Sequence, residues 1–147
     1  MKNVLIMRGL PGCGKSTYTR KQMQVLNAIG KSIVVASADD FFVVNNMKFD
    51  PHLLPMAHEC CYEIFLEALN ASVNCVIVDN TNTGESEFSR YYDAALERGY
   101  VPTVVEFSCD VQTSFERNLH KVPRKTIEKM FARLNQPLSR TYNIVKQ

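Results

Sequence analysis

The stretch GLPGCGKST, residues Gly9 to Thr17, decides the fold of this chain. It fits the pattern G-x-x-x-x-G-K-[ST], in which glycines let successive backbone N–H groups turn inward around the phosphates of a nucleotide. In that pattern the lysine, here Lys15, reaches the β- and γ-phosphates, and the hydroxyl that follows, here Ser16, binds Mg²⁺. The residues of this phosphate-binding loop, all candidate nucleotide ligands, are Gly9, Leu10, Pro11, Gly12, Cys13, Gly14, Lys15, Ser16 and Thr17.

The segments on either side of the loop are those that the pattern requires. Asn3 to Arg8 is an apolar run of the kind that forms a buried parallel strand. Residues 15–28 are predicted to form a helix that ends near Gly30. A helix that begins inside the loop adds its dipole and its free N–H groups to an anion site. The loop is therefore predicted to bind a nucleoside triphosphate.

Length and composition agree with one compact domain over residues 1–147. Hydrophobic residues make up 46% of the chain and charged residues 22%, which excludes a disordered tail, a collagen-like rod and a coiled coil. No apolar stretch approaches the roughly 20 residues that span a bilayer. The apolar run at Val4–Met7 is too short for a signal-peptide core, so we expect a cytoplasmic, intracellular protein with no membrane partner.

Beyond the loop, predicted strands and helices alternate. Further strands are predicted at 32–37, 75–78 and 101–107, and further helices at 51–69, 85–98, 110–119 and 124–134. This alternation indicates an α/β fold with a mostly parallel sheet and helices on both faces. The sheet is expected to have four strands, or five if residues 142–146 add an edge. Pro55 falls inside one predicted helix, so that helix is expected to start late or with a kink.

Acidic residues follow the second predicted strand. Asp39 and Asp40 come directly after Ser37-Ala38, where the carboxyl ends of parallel strands face a ligand crevice. One of these carboxylates is suited to accept the proton of an attacking hydroxyl. The alternative is that they cap a helix and fill its first turn. The pattern does not decide between the two aspartates, and both roles can hold, one per residue.

Asp79 follows the third predicted strand and begins the polar run Asp79-Asn80-Thr81-Asn82. An acid after an apolar strand occupies the position that holds Mg²⁺ or its waters in many nucleotide-binding folds. With Ser16, Asp79 is therefore a candidate metal ligand. The alternative is a turn followed by a helix cap, for which Asn and Thr are common.

Charge is unevenly distributed along the chain. Residues 37–93 carry two basic and ten acidic residues, whereas residues 111–147 carry eight basic and two acidic residues. The basic segment includes Arg117, Lys121, Arg124 and Lys125, and residues 117–134 are predicted to form a small helical lid that closes over the γ-phosphate. If the first lid helix reaches far enough, Arg117 and Lys121 share one face. The alternative is a solvated basic helix.

The chain has five cysteines, an odd number, and none forms a C-x-x-C pair. In a reducing compartment they are expected to be small buried or half-buried residues without disulfide bonds.

Taken together, these motifs resemble the P-loop kinases of the polynucleotide 5′-kinase type. The resemblance rests on GLPGCGKST, SADDFF, VIVDNTNT and FERNLHKVPRKTIEKMFARL, and it covers nearly the whole chain, to about Leu134. It implies a P-loop NTPase-type three-layer sandwich that uses ATP and Mg²⁺. It also implies that Asp39 is the general base, that Lys15 and Ser16 hold phosphates and Mg²⁺, and that Arg117 and Lys121 are lid cations. Arg124, from the same basic segment, is a further candidate nucleotide ligand.

The chain departs from the kinase domain of bacteriophage polynucleotide kinase-phosphatase at three positions. Phe42 and Ala38 stand where that kinase has arginines near its base, and Lys121 stands where it has a lid arginine. Phe41 or Phe42 is therefore a candidate to stack on a base or sugar, or else packs in the core.

The sequence thus predicts an ATP-dependent phosphotransferase. The first candidate acceptor is the 5′-hydroxyl of a polynucleotide. The alternatives are a nucleoside, sugar or nucleotide-sugar acceptor, or a nucleotide-binding ATPase module without transfer.

Overall fold

The fold is described from a computed structural model that covers residues 1–147. Its centre is a five-stranded sheet in the order β2-β3-β1-β4-β5, and every neighbouring pair of strands is parallel. The strands are β1 (Asn3–Arg8), β2 (Ile33–Ala36), β3 (Cys75–Val78), β4 (Val101–Glu106) and β5 (Ile144–Lys146). The predicted parallel sheet is confirmed, and β5 is the fifth strand expected within residues 142–146.

Helices cover both faces of the sheet, which confirms the three-layer architecture. They are α1 (Lys15–Ala28), α2 (Asp40–Val44), α3 (Leu54–Asn70), α4 (Glu85–Glu97), α5 (Val111–Arg117) and α6 (Arg124–Leu134). Successive residues of β1 point to opposite faces. Val4 and Ile6 join a core of 20 buried residues under α3 and α4, and Met7 joins a smaller core against Tyr18 and Leu26 of α1.

The start of α3 follows the delayed alternative. Asp50 accepts a hydrogen bond from the backbone N–H of His52 at 3.0 Å and caps a 3-10 turn at Pro51–Leu53. The α-helix itself begins at Leu54, so Pro55 lies in its first turn, where its missing N–H leaves no hydrogen bond unmade.

The predicted helix at 110–119 is shorter than expected. Asp110 caps it by accepting from the N–H of Thr113 at 2.7 Å, but the helix ends at Arg117. Asn118 is extended, and its amide nitrogen donates to the Val122 carbonyl at 2.7 Å. Lys121 has a left-handed φ of 53°. The helix therefore does not reach far enough for Arg117 and Lys121 to share one face, because a side-chain hydrogen bond closes a turn beyond Arg117.

The topology fixes where a ligand can bind. The chain leaves β1 toward β2 on one side of the sheet and leaves β3 toward β4 on the other, so β1 and β3 flank a switch point. In open parallel sheets the ligand crevice lies outside the carboxyl ends of the strands at such a point. None of the helices combines the length and the apolar character needed to cross a bilayer.

Candidate nucleotide and phosphoryl-transfer site

The phosphate-binding loop connects β1 to α1 in a conformation that depends on glycine. Gly12 has a φ of 74° and Gly14 a φ of 103°, in the left-handed region that residues with a Cβ rarely adopt. Gly14 is the N-cap of α1, no side chain caps that end, and the first turn contains no acid. The first N–H groups of α1 are therefore free to bind an anion.

Lys15 lies beneath the loop and is only 8% exposed. Its Nζ donates to the carbonyl oxygens of Gly9 at 2.8 Å and Leu10 at 2.7 Å. Burial lowers the pKa of Lys15 to about 8, although the carboxylates of Asp79 and Asp39 oppose this shift. The lysine is therefore held at the loop, with two acidic side chains near enough to act on it.

Asp39 lies at the start of α2 but does not cap it. It occupies the N-cap position without a side-chain hydrogen bond to the helix. Its carboxylate is 60% exposed, with one oxygen 3.8 Å from Nε2 of His120. The neighbouring Asp40 is partly buried, and this burial together with the Asp39 charge raises the Asp40 pKa. The helix-cap alternative therefore does not account for the Asp39 side chain.

Asp79 directly follows β3, at the same edge of the sheet. Burial raises its pKa, Lys15 lowers it, and the charges of Asp39 and Asp40 raise it further. The adjacent Asn80 accepts a hydrogen bond from the Ala38 N–H at 2.9 Å, which ties the loop after β3 to the loop after β2. Three carboxylates and one lysine thus share the carboxyl edge of β1, β2 and β3.

Helix α5 packs directly against the phosphate-binding loop. Ser114 Oγ donates to the Pro11 carbonyl at 2.6 Å. A Cβ placed on Gly12 would lie 2.8 Å from the Cβ of Arg117, closer than two carbon atoms can pack. Glycine at position 12 is therefore needed for the close approach of Arg117 as well as for its backbone angle.

The other two predicted lid cations, Lys121 and Arg124, differ from Arg117 in their surroundings. Lys121 is exposed in the turn between α5 and α6. The guanidinium of Arg124 donates to Gln112 at 2.5 Å and lies 3.4 Å from Glu128, so its partners are on α5 and α6 rather than on the loop. Asp39, Asp40 and Asp79 form an acidic cluster. In the turn between α5 and α6 (the lid turn), His120 lies beside this cluster, with its Nε2 3.8 Å from an Asp39 oxygen.

A disulfide joins Cys13 of the loop to Cys109, which follows β4; their Cα atoms are 5.8 Å apart. The expectation that all five cysteines lack disulfide bonds is therefore wrong for this pair. The two residues are 96 positions apart in sequence, so local spacing gave no sign of the bond. The free cysteines are Cys60, Cys61 and Cys75.

Arg8, which the sequence motifs did not identify, is a buried residue that links several segments at the edge of the site. It is 2% exposed, and its guanidinium pairs with Glu106 at 2.7 Å and donates to the carbonyls of Asn82 at 3.1 Å and Thr83 at 2.8 Å. It therefore links the carboxyl ends of β1 and β4 to the loop after β3. The only sequence signal is a charged residue at the end of an otherwise apolar strand.

Phe42 packs in the core. It is 5% exposed and contacts the rings of Phe41 and Phe49 at centroid distances of 5.3 Å. Of the two candidates for stacking on a base or sugar, Phe42 is therefore excluded, whereas Phe41 is only half-buried.

Curated proteins related to this chain are much longer. The chain is 32% identical over 134 residues to human NEDD4-binding protein 2, an alignment that covers 86% of the chain and 7% of that protein. It is 27% identical over 149 residues to human YLP motif-containing protein 1, again with 86% and 7% covered. The chain thus spans less than a tenth of the length of these relatives.

Solved structures share the fold at low sequence identity. A chain of the Pnkp1/Rnl/Hen1 RNA repair complex matches with a TM-score of 0.73 and 20% identity, covering 90% of this chain and 44% of that one. Chaetomium thermophilum Kti12, solved in complex with ADP-AlF3, matches with a TM-score of 0.67 and 16% identity. The match covers 97% of this chain and 88% of the Kti12 chain.

The family model described as the AAA domain matches residues 4–141. That span includes the phosphate-binding loop, the acidic cluster and the lid. The chain belongs to this AAA domain family and has the α/β fold of a P-loop kinase, which supports nucleotide binding and phosphotransfer as its general activity.

Proposed function

We propose that this chain is an ATP-dependent kinase that transfers the γ-phosphoryl group to the 5′-hydroxyl of a polynucleotide. The observation that carries the proposal is the position of Asp39. Its carboxylate is exposed, makes no cap, and lies near enough to Lys15 to affect the lysine pKa. A free carboxylate beside a phosphate-binding loop is suited to activate a hydroxyl.

In the proposed reaction, Asp39 accepts the proton of the acceptor hydroxyl as its oxygen bonds to the γ-phosphorus. The bond from that phosphorus to the β–γ bridging oxygen breaks, and ADP leaves. Positioning and charge stabilisation supply most of the rate in such transfers. The N–H groups of the loop, Lys15 and Arg117 would stabilise the negative charge on the transferred group.

Ser16 and Asp79 are suited to hold Mg²⁺. Burial and the neighbouring acids raise the pKa of Asp79, which means that they disfavour its ionised form. A nearby cation would stabilise that ionised form. No group of three or more His, Cys, Asp or Glu residues forms a metal site by itself. This fits a Mg²⁺ ion that takes most of its ligands from nucleotide phosphates and water. The ion would neutralise charge on those phosphates.

The lid residues would act to different extents. The Cβ and backbone of Arg117 already lie beside Gly12, which places this residue next to the phosphate-binding loop. Lys121 belongs to the same turn as His120, which contacts Asp39. Arg124 would act on the nucleotide only after it gives up its contacts with Gln112 and Glu128. We therefore propose Arg117 first, Lys121 second and Arg124 last as lid cations.

A polynucleotide acceptor is supported by the charge distribution. The lid segment carries an excess of basic residues, with which the phosphates of a strand would pair. The fold likeness to a chain of the Pnkp1 RNA repair complex agrees with this choice of acceptor. A second candidate acceptor, a nucleoside or sugar without a phosphate, is favoured by the composition of α2, which has no lysine or arginine for an acceptor phosphate.

Transfer from γ-labelled ATP tests the proposal. The purified chain is incubated with Mg²⁺ and with a 5′-hydroxyl oligonucleotide, a matched 5′-phosphorylated oligonucleotide, a nucleoside, or no acceptor. Label on the 5′-hydroxyl oligonucleotide alone supports the first candidate, and label on the nucleoside alone supports the second. Release of phosphate at a rate independent of every acceptor would contradict both and favour an ATPase module. Lys15→Ala is expected to abolish the transfer.

A further inference from the structure

A groove of about 280 Å³ lies between α2 and α3, beginning one residue from Asp39. Its α2 side is formed by residues spaced three or four apart, which share one helix face. The apolar side chains on which the argument rests are Phe41, Val44 and Ile64, and the polar ones are Ser37, Asp40 and Asn45. The groove therefore combines an apolar surface with a polar edge at the end nearest the proposed base.

The groove contains no cationic side chain. Asp40 lines it, burial and the Asp39 charge raise the Asp40 pKa, and the charge of Asp40 in turn raises the pKa of Asp79. Between residues 37 and 89 the only lysine or arginine is Lys48. Arg90 lies outside the lining but acts on the Cys61 thiol, where its charge lowers the pKa. The lining itself offers a phosphate group a carboxylate and no cation.

The polar edge presents both hydrogen-bond acceptors and donors. Asp40 contributes a carboxylate, and Asn45 donates one amide hydrogen to the Phe41 carbonyl at 2.6 Å, which leaves its oxygen and its second N–H free. The Ser37 hydroxyl already accepts from the Asp39 N–H at 3.3 Å. An occupant that satisfies these groups carries O–H or N–H donors for the carboxylate and acceptor atoms for the Asn45 N–H and the Ser37 O–H.

We propose that this groove binds the terminal nucleoside of the acceptor, with its base against Phe41, Val44 and Ile64 and its sugar toward Asp40. A nucleoside is uncharged, has a flat ring for the apolar surface, and carries hydroxyl groups and ring nitrogens that can donate to and accept from the polar edge. This inference rests on the proposed kinase function, since it adds where the hydroxyl-bearing end is held. The phosphates of a longer acceptor then leave the groove toward the basic lid turn around His120 and Lys121.

Cys60 provides a reporter that does not depend on catalysis. It lines the groove and is half-buried and free. The other free thiols are buried: burial raises the pKa of Cys61 and raises that of Cys75 to about 11, so both react slowly with alkylating reagents. The rate of Cys60 alkylation by iodoacetamide, followed by mass spectrometry, therefore measures occupancy of the groove.

A nucleoside or a 5′-hydroxyl dinucleotide is expected to slow Cys60 alkylation severalfold, whereas orthophosphate at the same concentration leaves the rate unchanged. An acceptor that becomes phosphorylated but gives no protection would overturn the groove assignment and leave the kinase function standing. Protection without any phosphoryl transfer would support the groove and contradict the kinase function.

Two neighbouring valines give a matched pair of variants. Val44 lines the groove and Val43 does not, yet both are exposed on α2, at 82% and 77%. Val44→Asp is expected to raise the KM for the acceptor about tenfold, with kcat and the KM for ATP within twofold of the wild type. Val43→Asp makes the same charge change and is expected to leave all three constants within twofold. Equal effects of the two variants on the acceptor KM would contradict the proposal.

Discussion

At the residue scale, the charge of Lys15 is expected to make ATP binding depend on pH. Because the protein buries this ammonium group, its pKa falls to about 8, so the free protein loses the charge as pH rises through that value. A bound triphosphate favours the charged form and pulls the proton back. ATP binding above pH 8 therefore requires proton uptake at Lys15.

The affinity for ATP is accordingly expected to weaken by up to about tenfold between pH 7.5 and pH 9.0, since one pH unit above a pKa removes about nine-tenths of the charge. Isothermal titration in two buffers of different ionisation enthalpy measures both the affinity and the proton uptake. Lys15→Arg is the control, because a guanidinium does not titrate in this range and its affinity is expected to be flat. An equally flat wild-type profile would contradict this assignment.

At the element scale, the phosphate-binding loop is held from two sides. Ser114 and Arg117 of α5 pack against Pro11 and Gly12, and the disulfide from Cys13 ties the loop to the segment after β4. A cross-link that closes a long loop restricts the unfolded chain more than the folded one. The disulfide is therefore expected to stabilise the fold as well as to fix the loop.

Reduction of the disulfide, or the double variant Cys13→Ser/Cys109→Ser, is expected to lower the free energy of unfolding by about 2–4 kcal/mol. Thermal melts with and without dithiothreitol measure this, with a shift of roughly 2–4 °C per kcal/mol. The double variant should be insensitive to the reductant, and Cys60→Ser should behave as the wild type. Melts of the wild type that do not respond to reductant would rule out a stabilising disulfide.

The two sides of the site differ in how far the sequence could predict them. The loop, β1 and α1 were predictable because glycine spacing, an apolar run and helical composition all agree at neighbouring positions. The end of α5 was not, because it depends on the Asn118 side chain bonding to the Val122 carbonyl. The Cys13–Cys109 bond and the Arg8–Glu106 pair join residues that are close only after β4 has docked beside β1.

At the scale of the whole molecule, the C-terminal segment closes one edge of the sheet. Tyr142 is 7% exposed, and its ring packs edge-on against Phe88 at 5.0 Å and Tyr92 at 4.9 Å between centroids. Its hydroxyl donates to Glu85 at 3.1 Å. Because α4 also packs on β1 and β4, the short edge strand β5 is connected to the main core through this side chain.

Tyr142→Ala is expected to destabilise the chain by about 3–5 kcal/mol, as large aromatic truncations in cores do. Tyr142→Phe keeps the packing and removes one hydrogen bond, so its cost is expected to be about 0.5–1.5 kcal/mol. Urea unfolding followed by circular dichroism measures both. If the free energy of unfolding of Tyr142→Ala were within about 1 kcal/mol of the wild-type value, the C-terminal segment would add little to the stability of the core.

The proposed mechanism depends on the position of the Asp39 carboxylate beside a loop that binds the triphosphate. Asp39→Asn preserves the shape of the side chain and removes the proton acceptor, whereas Asp40→Asn changes the neighbouring acid that faces the groove. The pair therefore separates catalysis from binding and decides which aspartate acts as the base.

The most direct measurement is the single-turnover rate of γ-phosphoryl transfer for the wild type, Asp39→Asn and Asp40→Asn, with the Kd for ATP measured alongside. We expect Asp39→Asn to bind ATP as the wild type does and to lose about 10²–10⁴-fold in rate, with a much smaller loss for Asp40→Asn. An Asp39→Asn variant that transfers at the wild-type rate, or an Asp40→Asn variant that binds ATP normally and is the inactive one, would contradict the assignment of Asp39.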